Sequence, residues 1–246
     1  MEIRDFIRVL DAEGTRLATA AGHSGTAAPV PTCPGWTVAD LLRHQTMVHR
    51  WAARIVGEAL SAPYEPTEPD LDGAELLAHY REGHAHLVRT LRDAPDDLDC
   101  WYFFRAPSAR AFWARRQAHE TAVHRVDAEE AAGGAISPLP AAFASDGIDE
   151  LLTGFHARRK SRVRSTHPRT LRVQATDTDD TWTVHLSQDP PHTDRGADGD
   201  ADCLLRGTAG ELYLALWNRR PYDGLRIDGD PAPAELWRAD SAVTWS

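Results

Sequence analysis

The sequence predicts an α+β protein, in which an N-terminal bundle of four helices is followed by a small α+β domain. Apolar residues recur at helical spacing through the first two thirds of the chain. After about residue 168 the pattern changes to short β-rich segments bounded by turn residues. The boundary is expected in the basic stretch 158–168, so that the bundle covers 1–160 and the second domain 168–246.

Each helix of the bundle has its own signal. The first helix is predicted over "FIRVLDAEGTRLATAAG", and the prolines and glycine of "APVPTCPGWTVADLL" end it. Thr37 and Asp40 form a capping-box pattern, which predicts that the second helix starts at Thr37. The third and fourth helices are predicted over 74–93 and about 108–131, and a fifth from about Asp146.

The second domain is predicted from shorter segments. Three strands are expected in "TLRVQAT", "TWTVHLS" and "ADCLLRGT", with a loop, "SQDPPHTDRGADGDAD", between the second and third. A helix is expected in "AGELYLALWNRR", a further strand in "GLRIDGD" and a short helix in "PAPAELWRAD". These alternating elements indicate a compact α+β fold.

Composition excludes several classes of protein. The net charge of −10 disfavours a nucleic-acid-binding protein, and the basic cluster "RRKSRVR" is interpreted as a solvated linker. No apolar run of about 18 residues is present, so no membrane span is expected. The start, "MEIRDFIRVL", lacks the apolar core of a signal peptide. The three scattered cysteines favour a reducing, cytoplasmic location.

The stretch "RRQAHETAVHRVDAE" holds two histidines and a glutamate that resemble the H-E-x-x-H motif of zinc proteases. His119 and His124 are five residues apart, so about 140° separates them around a helix and they do not share a face. Glu120 and His124 are four apart and do share one. The protease interpretation therefore fails, and a metal on this helix would be bound by Glu120 and His124.

A third ligand is expected from the second helix, because a catalytic zinc ion usually has three protein ligands and one open position. His44 lies on the apolar stripe that contains Leu41 and Val48, whereas His49 is predicted to face solvent. The alternatives are that His44 is a hydrogen-bonded packing residue and that Glu120 and His124 form a surface pair.

Other polar residues are less informative. The face of the fourth helix that carries Glu120 and His124 is polar for a core-facing surface, which is costly unless its groups are paired or bind metal. Arg125 and Asp127 fit either a role in supporting the ligands or a place on the surface. The histidines of the third helix have a poor ligand spacing and are expected to be exposed; they are His79, His84 and His86.

Three segments resemble the mycothiol-dependent maleylpyruvate isomerase family: "VPTCPGWTVADLLRHQTMVHRWA", "FWARRQAHETAVHRVDAE" and "SDGIDELL". The resemblance covers nearly the whole chain. It implies a DinB-like four-helix bundle followed by a smaller domain similar to the sterol-carrier fold. It also implies a zinc ion, or another divalent metal, bound by His44, Glu120 and His124, the residues that helix geometry favours.

The resemblance further implies the chemistry. Mycothiol would be the thiol cosubstrate, activated as a thiolate on the metal for addition to a small electrophile. The outcome would be either cis–trans isomerisation of a maleylpyruvate-type substrate or transfer of the thiol. Mycothiol is an actinobacterial thiol, and the preference for arginine over lysine, with Lys160 the only lysine, is typical of a GC-rich genome.

A cation is expected beside the substrate, because the isomerase substrate is a dicarboxylate. In the family an arginine after the apolar helix of the second domain has this role, which implies Arg219 in "LYLALWNRRP". Arg220 is its neighbour, and Asn218 stands where the family has glycine. The alternative is that both arginines only cap the helix.

One alternative function is a non-catalytic binding module, stabilised by metal, that holds a small apolar ligand. Another is a metal-free relic, in which His44, Glu120 and His124 would hydrogen-bond among themselves. A monomer or a homodimer is expected.

Overall fold

The computed structural model describes residues 1–243 and separates into two compact units, Met1–Ser137 and a second that begins at Pro138. The helical first unit and the α+β second unit confirm the predicted fold class. The division between the units lies earlier in the sequence than the stretch 158–168, in which the boundary was expected. The reason is that the helix that begins at Ala141 packs within the second unit. Within the described residues, no helix is both long and apolar enough to cross a membrane.

The first unit is built from four long helices, each of which packs against two neighbours. α1 contacts α3 and α4, and α2 contacts the same two helices, so that α1 and α2 lie on one diagonal of the bundle. The helices α2 and α4 are therefore adjacent, although they are far apart in the sequence. Their bounds are α1 Ile3–Ser24, α2 Val38–Gly57, α3 Gly73–Asp93 and α4 Ala109–Ala131.

The start of α2 is fixed by the predicted capping box. The Thr37 hydroxyl oxygen accepts a hydrogen bond from the Asp40 amide, and the Asp40 carboxylate accepts one from the Thr37 amide at 2.8 Å. Both pairs satisfy backbone amides that the first turn of a helix leaves without a partner. The cap therefore determines where His44 lies, almost two turns further along α2.

A short loop before α2 folds back on itself. Residues Cys33 to Trp36 form a tight turn in which the Trp36 amide donates to the Cys33 carbonyl oxygen at 3.0 Å. Proline at the second position and Gly35, with φ +87°, at the third are the features of a type II turn. The Val30 amide also donates to the Trp36 carbonyl oxygen at 2.9 Å, which closes the loop.

Two predictions about exposed histidines were wrong. His49 is fully buried, because α3 and α4 both pack against α2 and leave little of its circumference to solvent. His84 is also buried, and its Nε2 lies 3.0 Å from the Leu10 carbonyl oxygen of α1. His79 is half-buried and His86 is exposed.

The second unit begins with a continuous helical segment. The helix α5 (Ala141–Asp149) starts directly after Pro140, five residues before the predicted start at Asp146, and runs into a π-helical turn (Glu150–Phe155). The remaining elements are β1 Arg169–Ala175, β2 Thr181–Leu186, β3 His192–Arg195, β4 Cys203–Gly207, α6 Ala209–Leu216, β5 Arg226–Gly229 and α7 Ala232–Asp240.

The strands form a mixed sheet in the order β3-β2-β1-β4-β5. β1 pairs in parallel with β4, in the register Val173 to Leu205, and the other pairs are antiparallel. Both α6 and α7 pack on β1 and β4. The strand β3 lies in the segment predicted to be a loop, because its residues "HTDR" are polar and largely exposed and give no alternating pattern.

Candidate metal centre

The side chains of His44, Glu120 and His124 converge between α2 and α4. Glu120 Oε1 lies 3.2 Å from His44 Nε2 and 3.4 Å from His124 Nε2. All three residues are buried, and their donor atoms lie within 4.8 Å of one another. The structure thus brings together the three side chains that the sequence predicts as metal ligands.

These separations fit the dimensions of a zinc site. Zinc binds histidine nitrogen and carboxylate oxygen at about 2.0–2.2 Å with tetrahedral geometry, which places neighbouring ligand atoms about 3.3–3.5 Å apart. The two separations in the structure are 3.2 and 3.4 Å. The contact of His44 with Glu120 is also short enough for the hydrogen bond that a metal-free site would have. Two imidazoles and one carboxylate are also a donor set typical of catalytic zinc, which leaves a fourth position for water or substrate.

The two oxygens of the Glu120 carboxylate have different neighbours. Oε1 faces the two histidines and also accepts a hydrogen bond from the side-chain nitrogen of Gln45, Nε2, at 3.3 Å. Oε2 lies 3.4 Å from Nη2 of Arg116, one turn earlier on α4. Both Gln45 and Arg116 are buried, so the carboxylate is held from two sides by donors that water does not reach.

The other nitrogen of the His124 ring is held by Asp127. His124 Nδ1 lies 2.7 Å from Asp127 Oδ2, an arrangement that leaves Nε2 directed toward Glu120 and His44. Asp127 is fully buried and also accepts hydrogen bonds from Thr32 Oγ1 at 2.5 Å and from Cys33 Sγ at 3.4 Å. A carboxylate that orients a ligating histidine is a common feature of zinc sites.

The loop before α2 covers this site. The ring of Trp36 is nearly parallel to that of His124, with centroids 6.3 Å apart, and lies 5.3 Å from the ring of His44. Together with Thr32 and Cys33, it brings the loop against the ligands and against Asp127. Neither helix periodicity nor ligand spacing predicts these loop contacts, although "CPGW" in the sequence indicates the turn that produces them.

Charges within the site shift two pKa values in opposite directions. Burial alone would raise the pKa of Glu120, but hydrogen bonds from His124 and His44 and the charges of His124 and Arg116 hold it well below its usual range. Burial alone would lower the pKa of His124, but hydrogen bonds to Asp127 and Glu120 outweigh burial and raise it. The shift of Glu120 favours the charged carboxylate, which is the form in which this side chain binds a cation.

A second group of possible ligands shares His124. Cys33, His124 and Asp127 also offer donor atoms within 4.8 Å of one another. Their hydrogen bonds join these atoms to each other, and Thr32 already occupies the second oxygen of Asp127. This group therefore supports the first site rather than competing with it for a cation.

His119, the remaining histidine of the motif, lies apart from the donor set. Its ring is buried and packs edge-on against Phe6 of α1, with centroids 6.0 Å apart. Its direction follows from the five-residue spacing, which places it on a different side of α4 from His124.

Arg219 belongs to the second unit and follows the end of α6. Asn218 adopts a left-handed conformation with φ +60°, the Asn218 amide donates to Ala215 O at 3.0 Å, and the Arg219 amide donates to Leu214 O at 2.7 Å. This pair of bonds is the Schellman motif, which usually has glycine at the left-handed position and sometimes asparagine. Arg219 Nη1 also donates to the Trp217 carbonyl oxygen at 2.9 Å.

Comparison with known families gives two adjacent matches. Residues 7–129 match the mycothiol maleylpyruvate isomerase N-terminal domain, and residues 142–236 match the C-terminal domain of the same family. Together the two matches cover most of the chain. No curated protein matches the chain by sequence.

Two solved structures resemble the whole chain. One is the crystal structure of the mycothiol-dependent maleylpyruvate isomerase, which is 12% identical, with a TM-score of 0.63 and 93% of each chain covered. The other is a point mutant of that enzyme, 10% identical, with a TM-score of 0.62 and the same coverage. At this identity the likeness shows a shared fold.

Proposed function

The chain belongs to the mycothiol maleylpyruvate isomerase family, and from this we propose that it is an enzyme with mycothiol as its thiol cosubstrate. A divalent metal ion, preferably zinc, would activate the thiol. The observation that carries the proposal is the convergence of His44 Nε2, Glu120 Oε1 and His124 Nε2 on one point between α2 and α4. Two neutral imidazoles and one carboxylate would hold the ion. Three free cysteines are compatible with a reducing cytoplasm.

Each residue around the site has a distinct task in this proposal. A bound zinc ion would lower the pKa of a coordinated thiol, so that a thiolate is available at neutral pH. Asp127 orients His124 through Nδ1, and Trp36 shields both histidine rings from solvent on one side. Arg116 and Gln45 fix the carboxylate of Glu120.

Two reactions share the addition of this thiol to an electrophilic carbon. In the first, elimination after rotation returns the thiol and leaves the trans isomer of a maleylpyruvate-type substrate. In the second, the thiol conjugate is the product. The family name favours the first reaction, and a screen of electrophiles that begins with maleylpyruvate separates the two by whether mycothiol is consumed.

The test of thiol activation is a calorimetric titration of mycothiol into zinc-loaded protein. We expect binding accompanied by proton release, because the thiol loses its proton on coordination. Glu120→Ala should abolish it, whereas His119→Gln, which changes a buried histidine of the same helix outside the donor set, should not.

The titration also separates the proposal from a binding module. A fully zinc-loaded protein that binds no mycothiol, and that loses much of its thermal stability when zinc is chelated, would instead be a metal-stabilised module without catalytic function.

We also propose that Arg219 binds a carboxylate of the substrate. Its backbone is fixed by the Schellman motif, which places Asn218 where the family has glycine. A charged hydrogen bond contributes about 1.5–3 kcal/mol, so Arg219→Gln should lower kcat/KM for a dicarboxylate by roughly 10–100-fold. Arg220→Gln is the matched control, and an equal loss in both variants would contradict the assignment.

A further inference from the structure

We propose that Arg116 and Gln45 act as positioning residues that make Glu120 a monodentate metal ligand, and so keep one coordination position open for the thiol. The inference rests on the proposed metal site and concerns how this chain shapes it. It assigns a function to two buried polar side chains that do not themselves belong to the donor set.

The geometry divides the carboxylate into an inner and an outer oxygen. The inner oxygen, Oε1, is the atom near both histidines, and Gln45 Nε2 approaches it at 3.3 Å. The outer oxygen, Oε2, faces the guanidinium of Arg116 at 3.4 Å. Arg116 is one turn before Glu120 on the same helix and only 1% exposed, so its guanidinium is held beside that oxygen.

The different surroundings of the two Glu120 oxygens decide how many coordination positions of the ion the carboxylate occupies. A zinc ion with two histidines and one monodentate carboxylate keeps a position for an exogenous ligand, whereas structural zinc sites have all four positions filled by protein. A carboxylate that turned to bind through both oxygens would raise the coordination number to five and crowd the position needed by the thiol. The interaction of Arg116 with Oε2 opposes that rotation.

A second buried arginine of α4, Arg125, neutralises carboxylates of the bundle. Arg125, nine residues later on α4, is fully buried and pairs with Glu13 at 2.6 Å and with Glu129 at 2.7 Å. Neither of these two partners of Arg125 belongs to the donor set. The two arginines therefore offer a matched comparison between an arginine that addresses the ligand carboxylate and one that stabilises the bundle.

The test replaces zinc by Co²⁺, whose visible absorption is strong in four-coordinate sites and weak in five-coordinate ones. The variants are Arg116→Met, Arg116→Lys and Gln45→Leu, with Arg125→Met as the control. Each is first checked for helix content and cooperative unfolding, so that a folding defect is recognised. Mycothiol is then added, and the sulfur-to-cobalt charge-transfer band in the near ultraviolet reports whether the thiol reaches the metal.

We expect Arg116→Met to weaken the visible bands and to lower mycothiol affinity by at least about tenfold, the smaller effect typical of residues that support metal ligands. Gln45→Leu should act in the same direction, and Arg116→Lys should restore part of the signal because it keeps the charge. Folded Arg125→Met should match the wild type.

Two results would overturn the inference. If wild type shows the thiol band and Arg116→Met gives the same spectrum and affinity, Arg116 does not position the carboxylate, and the proposed function still stands. If wild-type protein binds no Co²⁺ and no Zn²⁺, both this inference and the metal-dependent function fail.

Discussion

Asp127 shows how one residue can connect a ligand to a loop. Its carboxylate is fully buried, yet it accepts bonds from the His124 ring, the Thr32 hydroxyl and the Cys33 thiol. A buried carboxylate is costly unless it is paired, and these three partners belong to the site or to the loop that covers it. Asp127 therefore transmits the position of the loop to the orientation of His124.

The first prediction concerns the orientation of His124. Asp127→Asn keeps the size of the side chain but removes its charge, so the His124 ring loses the charged acceptor that fixes it. Zinc affinity should fall about 10–100-fold, the usual effect of such a change, while helix content is retained. A competitive chelator titration measures it.

Glu129→Gln is the control for this variant, because Glu129 lies on the same helix but binds Arg125 and Ser137. Equal zinc affinity in Asp127→Asn and wild-type protein would show that His124 needs no charged partner at Nδ1.

At the scale of elements, the turn before α2 is the feature on which the site depends. It carries Thr32, Cys33 and Trp36, and all three contact the ligands or Asp127. The turn requires Gly35 to have φ +87°, a backbone conformation that residues with a β-carbon rarely adopt. The loop and the metal centre should therefore respond together to a change at this glycine.

The second prediction follows from that backbone. Gly35→Ala should lower the free energy of unfolding by about 1–2 kcal/mol, the cost of a left-handed conformation with a β-carbon. Gly134→Ala is the control, because its β-carbon would also meet open space but its φ lies outside the left-handed region. Urea unfolding of both variants measures the difference, and equal stabilities would contradict the assigned turn.

The sequence predicted those parts of the fold and site that depend on local chemistry. The start of α2 follows from Thr37 and Asp40, and the shared face of Glu120 and His124 follows from their spacing of four. These rules involve only a few neighbouring residues, so tertiary packing changes them little.

The parts that the sequence did not predict depend on tertiary packing. The burial of His49 and His84 reflects the packing of α2 and α3 against other helices, which periodicity along one helix does not describe. The strand β3 is recognised only by its pairing with β2, since its residues are polar. Similarly, the contact of Thr32 with Asp127 joins residues 95 positions apart.

The molecule as a whole contains several buried histidines that should make it sensitive to acid. Burial lowers the pKa of His49, His84 and His156, and for His156 the value is about 4. In the unfolded chain the same residues titrate near 6.5. The unfolded chain therefore takes up these protons first as the pH falls, and stability decreases in that direction.

The third prediction concerns how much His156 contributes to the pH dependence of the free energy of unfolding. The contribution of His156 is complete above pH 6.5 and is lost as the pH falls toward 4, by up to about 3 kcal/mol. His156→Asn keeps a polar atom opposite Ser161 Oγ, which lies 2.9 Å from His156 Nδ1, but does not titrate. Urea unfolding between pH 4.5 and 7.5 should therefore show a shallower pH dependence in the variant. Parallel curves for the two proteins would show that His156 is not the source.

The diagonal arrangement of the bundle has a consequence for biosynthesis. The candidate donors His44 and Glu120 are 76 residues apart in the sequence, because α2 packs against α4, the last helix of the bundle. A ribosome that adds about 5–20 residues per second needs roughly 4–15 s to pass from one to the other, and longer to release α4 from its exit tunnel. During that time the nascent chain exposes a single histidine of the donor set. A metal ion held by His44, Glu120 and His124 would therefore be acquired after most of the bundle has been made, and it would not guide the folding of the first three helices.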